Sequence, residues 1–151
     1  MSFSAVERHI NLIADLFMGA ASAKGPVSAI ERDYVRRQLE DLLSVRSLPP
    51  SVADHVERFD PMAFDVNAAA RTLYAEPPMR LRRLLELCAF VTVSDGAMAP
   101  QQDRYIRKLG SAFGMSEDEY RDLTLAHESK GPRRTFTQMA VVEVPGPSDG
   151  D

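Results

Sequence analysis

Two segments of this chain carry closely similar patterns of residues, 71 positions apart. The first is the apolar run Ile10–Phe17, which leads through small residues to the turn Lys24-Gly25-Pro26. The second is the run Leu81–Cys88, which leads to the turn Asp95-Gly96. A second amphipathic segment follows each turn in the same register. Because the register is kept across all three parts, the pattern predicts a duplicated helix–turn–helix unit.

Apolar periodicity, capping residues and prolines along the rest of the chain predict further helices. Apolar residues recur at steps of three and four, which is typical of amphipathic helices. Ser28–Glu31 and Ser116–Glu119 have the spacing of capping boxes, in which a serine and a glutamate satisfy each other's backbone amides at a helix start. Proline pairs at 49–50 and 77–78 are typical of first helical turns. We expect an all-α fold of about seven helices, the last running to about His127, with two halves related by a pseudo-twofold axis.

Composition bounds the domain organisation. The chain has 151 residues, of which 44% are hydrophobic, enough for one core but not for two substantial ones. We expect one helical domain at residues 1–131 and a partly disordered C-terminal extension at 132–151. Residues 135–144 within it favour β-structure and could pack on the domain or join a partner's sheet edge.

Several classes of protein fit the sequence poorly. The net charge of −4 argues against nucleic-acid binding. No apolar run reaches membrane-span length and no signal peptide is evident, so we expect a cytoplasmic protein without direct membrane insertion. Cys88, the single cysteine, is expected to be a buried thiol. His9, His55 and His127 stand apart from catalytic partners in the sequence, so we do not expect an enzyme.

The duplicated pattern, with its Asp-Gly turn and its closing Phe-Gly-Met-Ser-Glu-Asp-Glu at 113–119, resembles the TerB family of tellurite-resistance proteins. It is also similar to the N-terminal domain of the DjlA co-chaperones. The resemblance covers residues 8 to about 127. It implies a helical domain of about seven helices with internal pseudo-twofold symmetry. It also implies partners among cytoplasmic stress-response proteins, including membrane-associated tellurite-resistance complexes.

The resemblance also implies a candidate metal site. Some family members carry acidic clusters, with an aspartate before each turn glycine and a glutamate seven residues later. Here the first copy has Lys24 and Glu31 at these positions, and the second has Asp95 and Gln102. The candidate ligands of a divalent cation are therefore Asp95, Glu31 and Asp103. A role of Glu31 in its capping box and of Asp95 in its turn would explain these two residues without any ion.

Arginines crowd the first turn of the predicted helix that opens the second copy. Arg80, Arg82 and Arg83 are candidates for docking an acidic partner or a phosphate, or they could form surface ion pairs with Glu76 and Glu86. We expect a non-enzymatic protein-interaction or scaffolding module without a cofactor. The alternative is a divalent-cation-binding regulatory domain with a degenerate acidic site.

Overall fold

The computed structural model describes the backbone of residues 2–125 and the side chains of residues 9–125. Within these residues the chain forms seven α-helices and no strand, which confirms the predicted fold class. The helices are α1 (Ser2–Ser22), α2 (Ala29–Leu43), α3 (Pro50–Glu57), α4 (Val66–Leu73), α5 (Pro78–Thr92), α6 (Pro100–Ala112) and α7 (Glu117–Tyr120). The predicted extension at 132–151, its segment 135–144, and His127 lie outside the described residues. None of the described helices is both long and apolar enough to cross a membrane.

Local chemistry sets the helix starts. The predicted capping box at α2 is present: Ser28 Oγ accepts from Glu31 N at 3.1 Å, and Glu31 Oε1 accepts from Ser28 N at 3.0 Å. At α7 the glutamate half of the predicted box is observed, with Ser116 N donating to Glu119 Oε1 at 2.7 Å. Asp65 caps α4 by accepting from two backbone amides.

Two features of the backbone depart from the predicted pattern. The last helix was expected to reach about His127, but α7 has four residues and is followed by a 3₁₀ turn at Arg121–Leu123. Thr124 is extended, with φ −114° and ψ 171°, and the amide of Leu125 donates to Asp103 Oδ1 on α6 at 2.8 Å. The predicted single helix is therefore interrupted at Thr124, and the backbone is helical again at Leu125. The other departure is a bend in α1 at His9, where φ is −113° and ψ is 17°.

The seven helices share one hydrophobic core. Helix α1 packs against α2, α3, α4, α5 and α6, and α5 packs against α1, α2 and α6. Phe17 on α1 and Cys88 on α5, which occupy equivalent positions of the two copies, are both fully buried in this core. Burial raises the pKa of the Cys88 thiol, which keeps it protonated and unreactive.

The two glycine turns adopt matching conformations. Gly25 has φ +133° and Gly96 has φ +145°, a region that side chains strongly disfavour. The helices that follow begin at Ala29 and Pro100, again 71 residues apart. The turns lie side by side, because Lys24 Nζ is 3.3 Å from Asp95 Oδ2. Internal symmetry stays a prediction, but it is supported by this shared register, and the polar residues of the candidate site meet where the turns meet.

Candidate functional site

The polar residues at the two turns form one connected group, which we call the turn cluster: Lys24, Ser28, Glu31, Asp95 and Gln102. The Lys24 ammonium forms ion pairs with the carboxylates of Glu31 and Asp95. Ser28 Oγ donates to Asp95 Oδ2 at 2.9 Å. The cluster therefore joins the first copy to the second through one ammonium and two carboxylates.

Glu31 is the buried centre of the cluster. Its side chain has no exposed surface, and besides Lys24 it accepts from Ser28 N and from Gln102 Nε2, the latter at 3.3 Å. Gln102 is fully buried as well; it also donates to the carbonyl of Ala20 at 3.3 Å, and its Oε1 accepts from Ala99 N at 3.0 Å. Since a buried carboxylate is costly unless it is paired and hydrogen-bonded, these contacts are what keep Glu31 inside the domain.

The cluster is charged at neutral pH. Burial alone would lower the pKa of Lys24, but hydrogen bonds and charges from Glu31 and Asp95 outweigh it and raise that pKa. The pKa of Asp95 is lowered, chiefly by the hydrogen bond from Ser28 and then by Lys24. The ammonium and the Asp95 carboxylate therefore both remain ionised, and each stabilises the other's charged form.

The predicted metal ligands are brought together only in part. Glu31 and Asp95 converge on Lys24, whereas Asp103 accepts from Arg107 Nε at 2.9 Å and from the amide of Leu125. Among the side chains of residues 9–125, no group of three or more histidines, cysteines, aspartates or glutamates is placed to hold a metal ion. A hard cation such as Ca²⁺ takes six to eight oxygen ligands, and an ammonium repels it. The pairing of Lys24 with both carboxylates therefore disfavours a divalent cation in the turn cluster, and metal binding by these residues stays a prediction.

The predicted arginine face is already engaged with acidic neighbours. Arg80 contacts Glu76 at 2.6 Å, and Arg83 contacts Glu86 at 3.1 Å. Arg82 contacts Glu86, and it also reaches α7 and the 3₁₀ turn, donating to the Glu119 carbonyl at 2.5 Å and to Asp122 at 2.7 Å. The contacts with Glu76 and Glu86 are the surface pairs given above as the alternative to docking, whereas those of Arg82 with Glu119 and Asp122 were not predicted. Partner binding by this face stays a prediction.

A groove that the sequence did not signal lies on another side of the domain. It is bounded by α1, α3, the 58–65 loop and α4, and its volume is about 450 Å³. Two aromatic rings of the loop, Phe59 and Phe64, contribute to its apolar wall, with ring centroids 5.7 Å apart and planes inclined at 59°. The wall is completed by Leu12 of α1 and by alanines of α4.

A titratable pair lies in this groove. His55 Nε2 of α3 is 2.8 Å from Asp15 Oδ1 of α1. Burial raises the pKa of Asp15, although the charge and hydrogen bond of His55 act in the opposite direction. The sequence showed His55 as an isolated residue, and no local motif could have revealed a partner 40 residues away on another helix.

Comparison with known protein families matched residues 9–125 to the family described as tellurite resistance protein TerB. No curated protein and no solved structure gave a significant match. The family match covers most of the chain and, within the described residues, every helix from the bend in α1 onward. The chain therefore belongs to the TerB family.

Proposed function

We propose that this protein is a non-enzymatic interaction module that binds a segment of a partner protein in the groove between α1 and α4. Membership of the TerB family supports the proposal, because TerB domains are generally protein-interaction modules. The observation that carries it is the groove itself, which combines an apolar wall with several charged side chains at the surface of a rigid helical body. A cytoplasmic stress response that includes tellurite resistance is the setting we propose.

The charges of the groove indicate the chemistry of the partner. Asp15, Asp60 and Asp65 line it, against Arg58 and His55. Arg58 is itself paired with Asp54, at 3.0 Å, and Asp15 is paired with His55, so Asp60 and Asp65 are left as an excess of negative charge in the lining. The lining is therefore acidic. We propose that it takes a basic segment in which lysines or arginines flank one large apolar side chain, the apolar group anchoring the segment against the two phenylalanines.

Site-specific crosslinking in the native host tests this proposal. A photo-reactive amino acid at Ala63, an exposed residue of the groove, is expected to capture a partner through a basic, apolar segment. The same group at Met79, which is 84% exposed at the start of α5, is the matched control and should not capture that segment. Equal capture at both positions would contradict the proposal. So would a crosslink from Ala63 to this chain's own basic residues 130–134, which would make the occupant intramolecular.

Charge reversal then tests the electrostatic part with the captured segment as a synthetic peptide. Asp60→Lys should weaken its binding by about tenfold, and Arg58→Glu should strengthen it, because the first makes the groove less acidic and the second more so. Asp118→Lys, an equal charge change at a surface residue of α7, should leave binding unchanged. Binding that follows net charge alone, with Asp118→Lys as harmful as Asp60→Lys, would contradict recognition in the groove.

The alternative function, a divalent-cation-binding regulatory domain, is favoured by one observation: Glu31 and Asp95 do converge. Calorimetric titration with calcium, magnesium and zinc tests it. Heat of binding that disappears in Asp95→Asn would support the cation function. Absence of heat up to millimolar metal would remove it and would leave the interaction proposal intact.

A further inference from the structure

The turn cluster holds a positive charge at a place where carboxylates from both copies meet. Lys24 and Asp95 occupy equivalent positions 71 residues apart and contact each other, and so do Glu31 and Gln102. Each contact therefore joins a position of one copy to its own counterpart in the other. A twofold axis relating the two copies would therefore pass through this cluster. A group that neutralises the carboxylates of the cluster also holds the two copies together.

We infer that the Lys24 ammonium replaces a divalent cation in this domain. It neutralises the carboxylates of Glu31 and Asp95 and thereby stabilises the contact between the two copies without a metal ion. This role of Lys24 goes beyond the proposed partner binding and does not depend on it, since the groove is built from other residues.

Burial means that Glu31 needs a cation beside it to stay ionised. Glu31 has no exposed surface, so solvent cannot compensate its charge. The Lys24 side chain is 26% exposed and reaches Glu31 from the rim of the cluster, with Asp95 as its second partner. Because the ammonium is covalently part of the chain, the neutralising charge is present at every metal concentration.

The same geometry implies that one substitution would create a divalent-cation site. An aspartate at position 24 would have the place in its turn that Asp95 has in the second copy, and the two turn glycines share their backbone conformation. Three carboxylates, from positions 24, 31 and 95, would then converge beside the Ser28 hydroxyl. Converging charged oxygens without an ammonium are what calcium selects.

Thermal unfolding of the full chain tests the inference, with 5 mM EDTA or about 5 mM free calcium or magnesium as the probe. The wild-type melting temperature should be the same in all three solutions. Lys24→Asp should melt well below wild type in EDTA and recover by about 5 °C or more in calcium. Lys24→Gln, which removes the ammonium without adding a carboxylate, should melt low in EDTA and stay low in calcium. Adding Asp95→Asn to Lys24→Asp should abolish the recovery.

Three results would overturn the inference: a calcium-dependent rise in the wild type, a Lys24→Gln protein as stable as wild type, or a Lys24→Asp protein that calcium does not stabilise. If Lys24→Asp is unfolded in EDTA, its helical circular dichroism after refolding in calcium replaces the melting temperature. Recovery of helix with calcium then supports the inference, and its absence contradicts it. Failure of the groove to bind a partner would change none of these outcomes, so the two proposals fail separately.

Discussion

At the scale of single residues, one close approach shows why a glycine lies inside α1. The Tyr105 hydroxyl of α6 donates to the Leu16 carbonyl of α1 at 2.8 Å. A Cβ atom at Gly19 would lie 2.6 Å from that hydroxyl oxygen and 3.0 Å from a ring carbon of Phe64. Burial raises the pKa of Tyr105 well above its ordinary value, so the phenol remains a proton donor. The glycine thus admits a partly buried hydrogen bond between the two copies.

Gly19→Ala is therefore expected to destabilise the protein by about 1–2 kcal/mol, although alanine is the better helix former, because the added methyl group must displace the Tyr105 hydroxyl. Urea unfolding followed by circular dichroism measures the change. In a Tyr105→Phe background, which lacks the hydroxyl, the cost of the same substitution should be smaller. A Gly19→Ala protein that is as stable as wild type would show that Tyr105 can move freely.

Asp95→Asn is expected to lower the free energy of unfolding at pH 7 by about 1 kcal/mol, because the carboxylate accepts from Ser28 and pairs with Lys24 at a partly exposed position. The folded-state pKa of Asp95 is below its unfolded value, so this stability is present above the ordinary pKa of 3.8 and is lost as the pH falls through the lowered folded value. The difference between wild type and variant should therefore shrink below about pH 4.

Urea unfolding of both proteins at a series of pH values measures that difference. Asp15 acts with the opposite sign: its folded pKa is raised, so its contribution is lost as the pH rises through that value. Both proteins share Asp15, and its effect cancels when they are compared. A difference between wild type and Asp95→Asn that stays constant from pH 7 to pH 3 would show that the effect is not electrostatic.

At the scale of elements, the copies make equivalent contacts through different side chains. The carbonyls of Leu16 and Leu87 occupy equivalent positions, and each accepts from the second helix of the other copy. Tyr105 is the donor to Leu16, whereas Gln38 is the donor to Leu87, at 3.2 Å. Helical periodicity identifies the face that each helix buries, but it does not identify the partner. The apolar pattern of the predicted copies therefore indicates the fold, but it does not indicate which side chains form the contacts between them.

The same reasoning explains what the sequence could reveal of the site. The turn cluster could be predicted, because Asp95 directly precedes one turn glycine and Glu31 follows the other by six residues, and the register of these glycines predicts that the two copies correspond. The groove could not be predicted, because it depends on how the short helices α3 and α4 pack against α1, and that packing leaves no periodic signal. The pairing of His55 with Asp15 could not be predicted from the sequence either, because it depends on the same packing of α3 against α1. Helix starts could be predicted wherever a serine or aspartate occupies the N-cap position or a proline occupies the first turn.

Arg82→Ala is expected to loosen one element and leave the rest intact. Arg82 connects α5 to the short helix α7 and to the 3₁₀ turn, because it donates hydrogen bonds to the Glu119 carbonyl and to Asp122. Without it, the amides of residues 117–124 should exchange with solvent about tenfold faster, as for a local loss of about 1–2 kcal/mol. Arg83→Ala is the control, since its described contact is with Glu86 on its own helix. Equal effects of the two substitutions would contradict a specific connection.

At the scale of the whole molecule, two copies share one core. Helices α1 and α5 pack together, and each also contacts the second helix of the other copy. Leu85 of α5 is fully buried in the cluster that also contains Phe17 of α1, so the apolar side of each copy is covered by the other. A hairpin separated from its partner would expose that side to water. Cooperative unfolding of both copies in one step is therefore what the architecture predicts.

Leu85→Ala is expected to lower the free energy of unfolding by about 2–5 kcal/mol, because it removes fully buried methyl groups and leaves a cavity where the copies meet. Hydrogen exchange resolved by peptide should show α1–α2 and α5–α6 losing protection together, since neither hairpin keeps its core alone. Met79→Ala, at an 84% exposed position of α5, should change neither. Loss of protection in α5 and α6 only, with α1 and α2 unchanged, would mean that the two copies are independent folding units that merely touch.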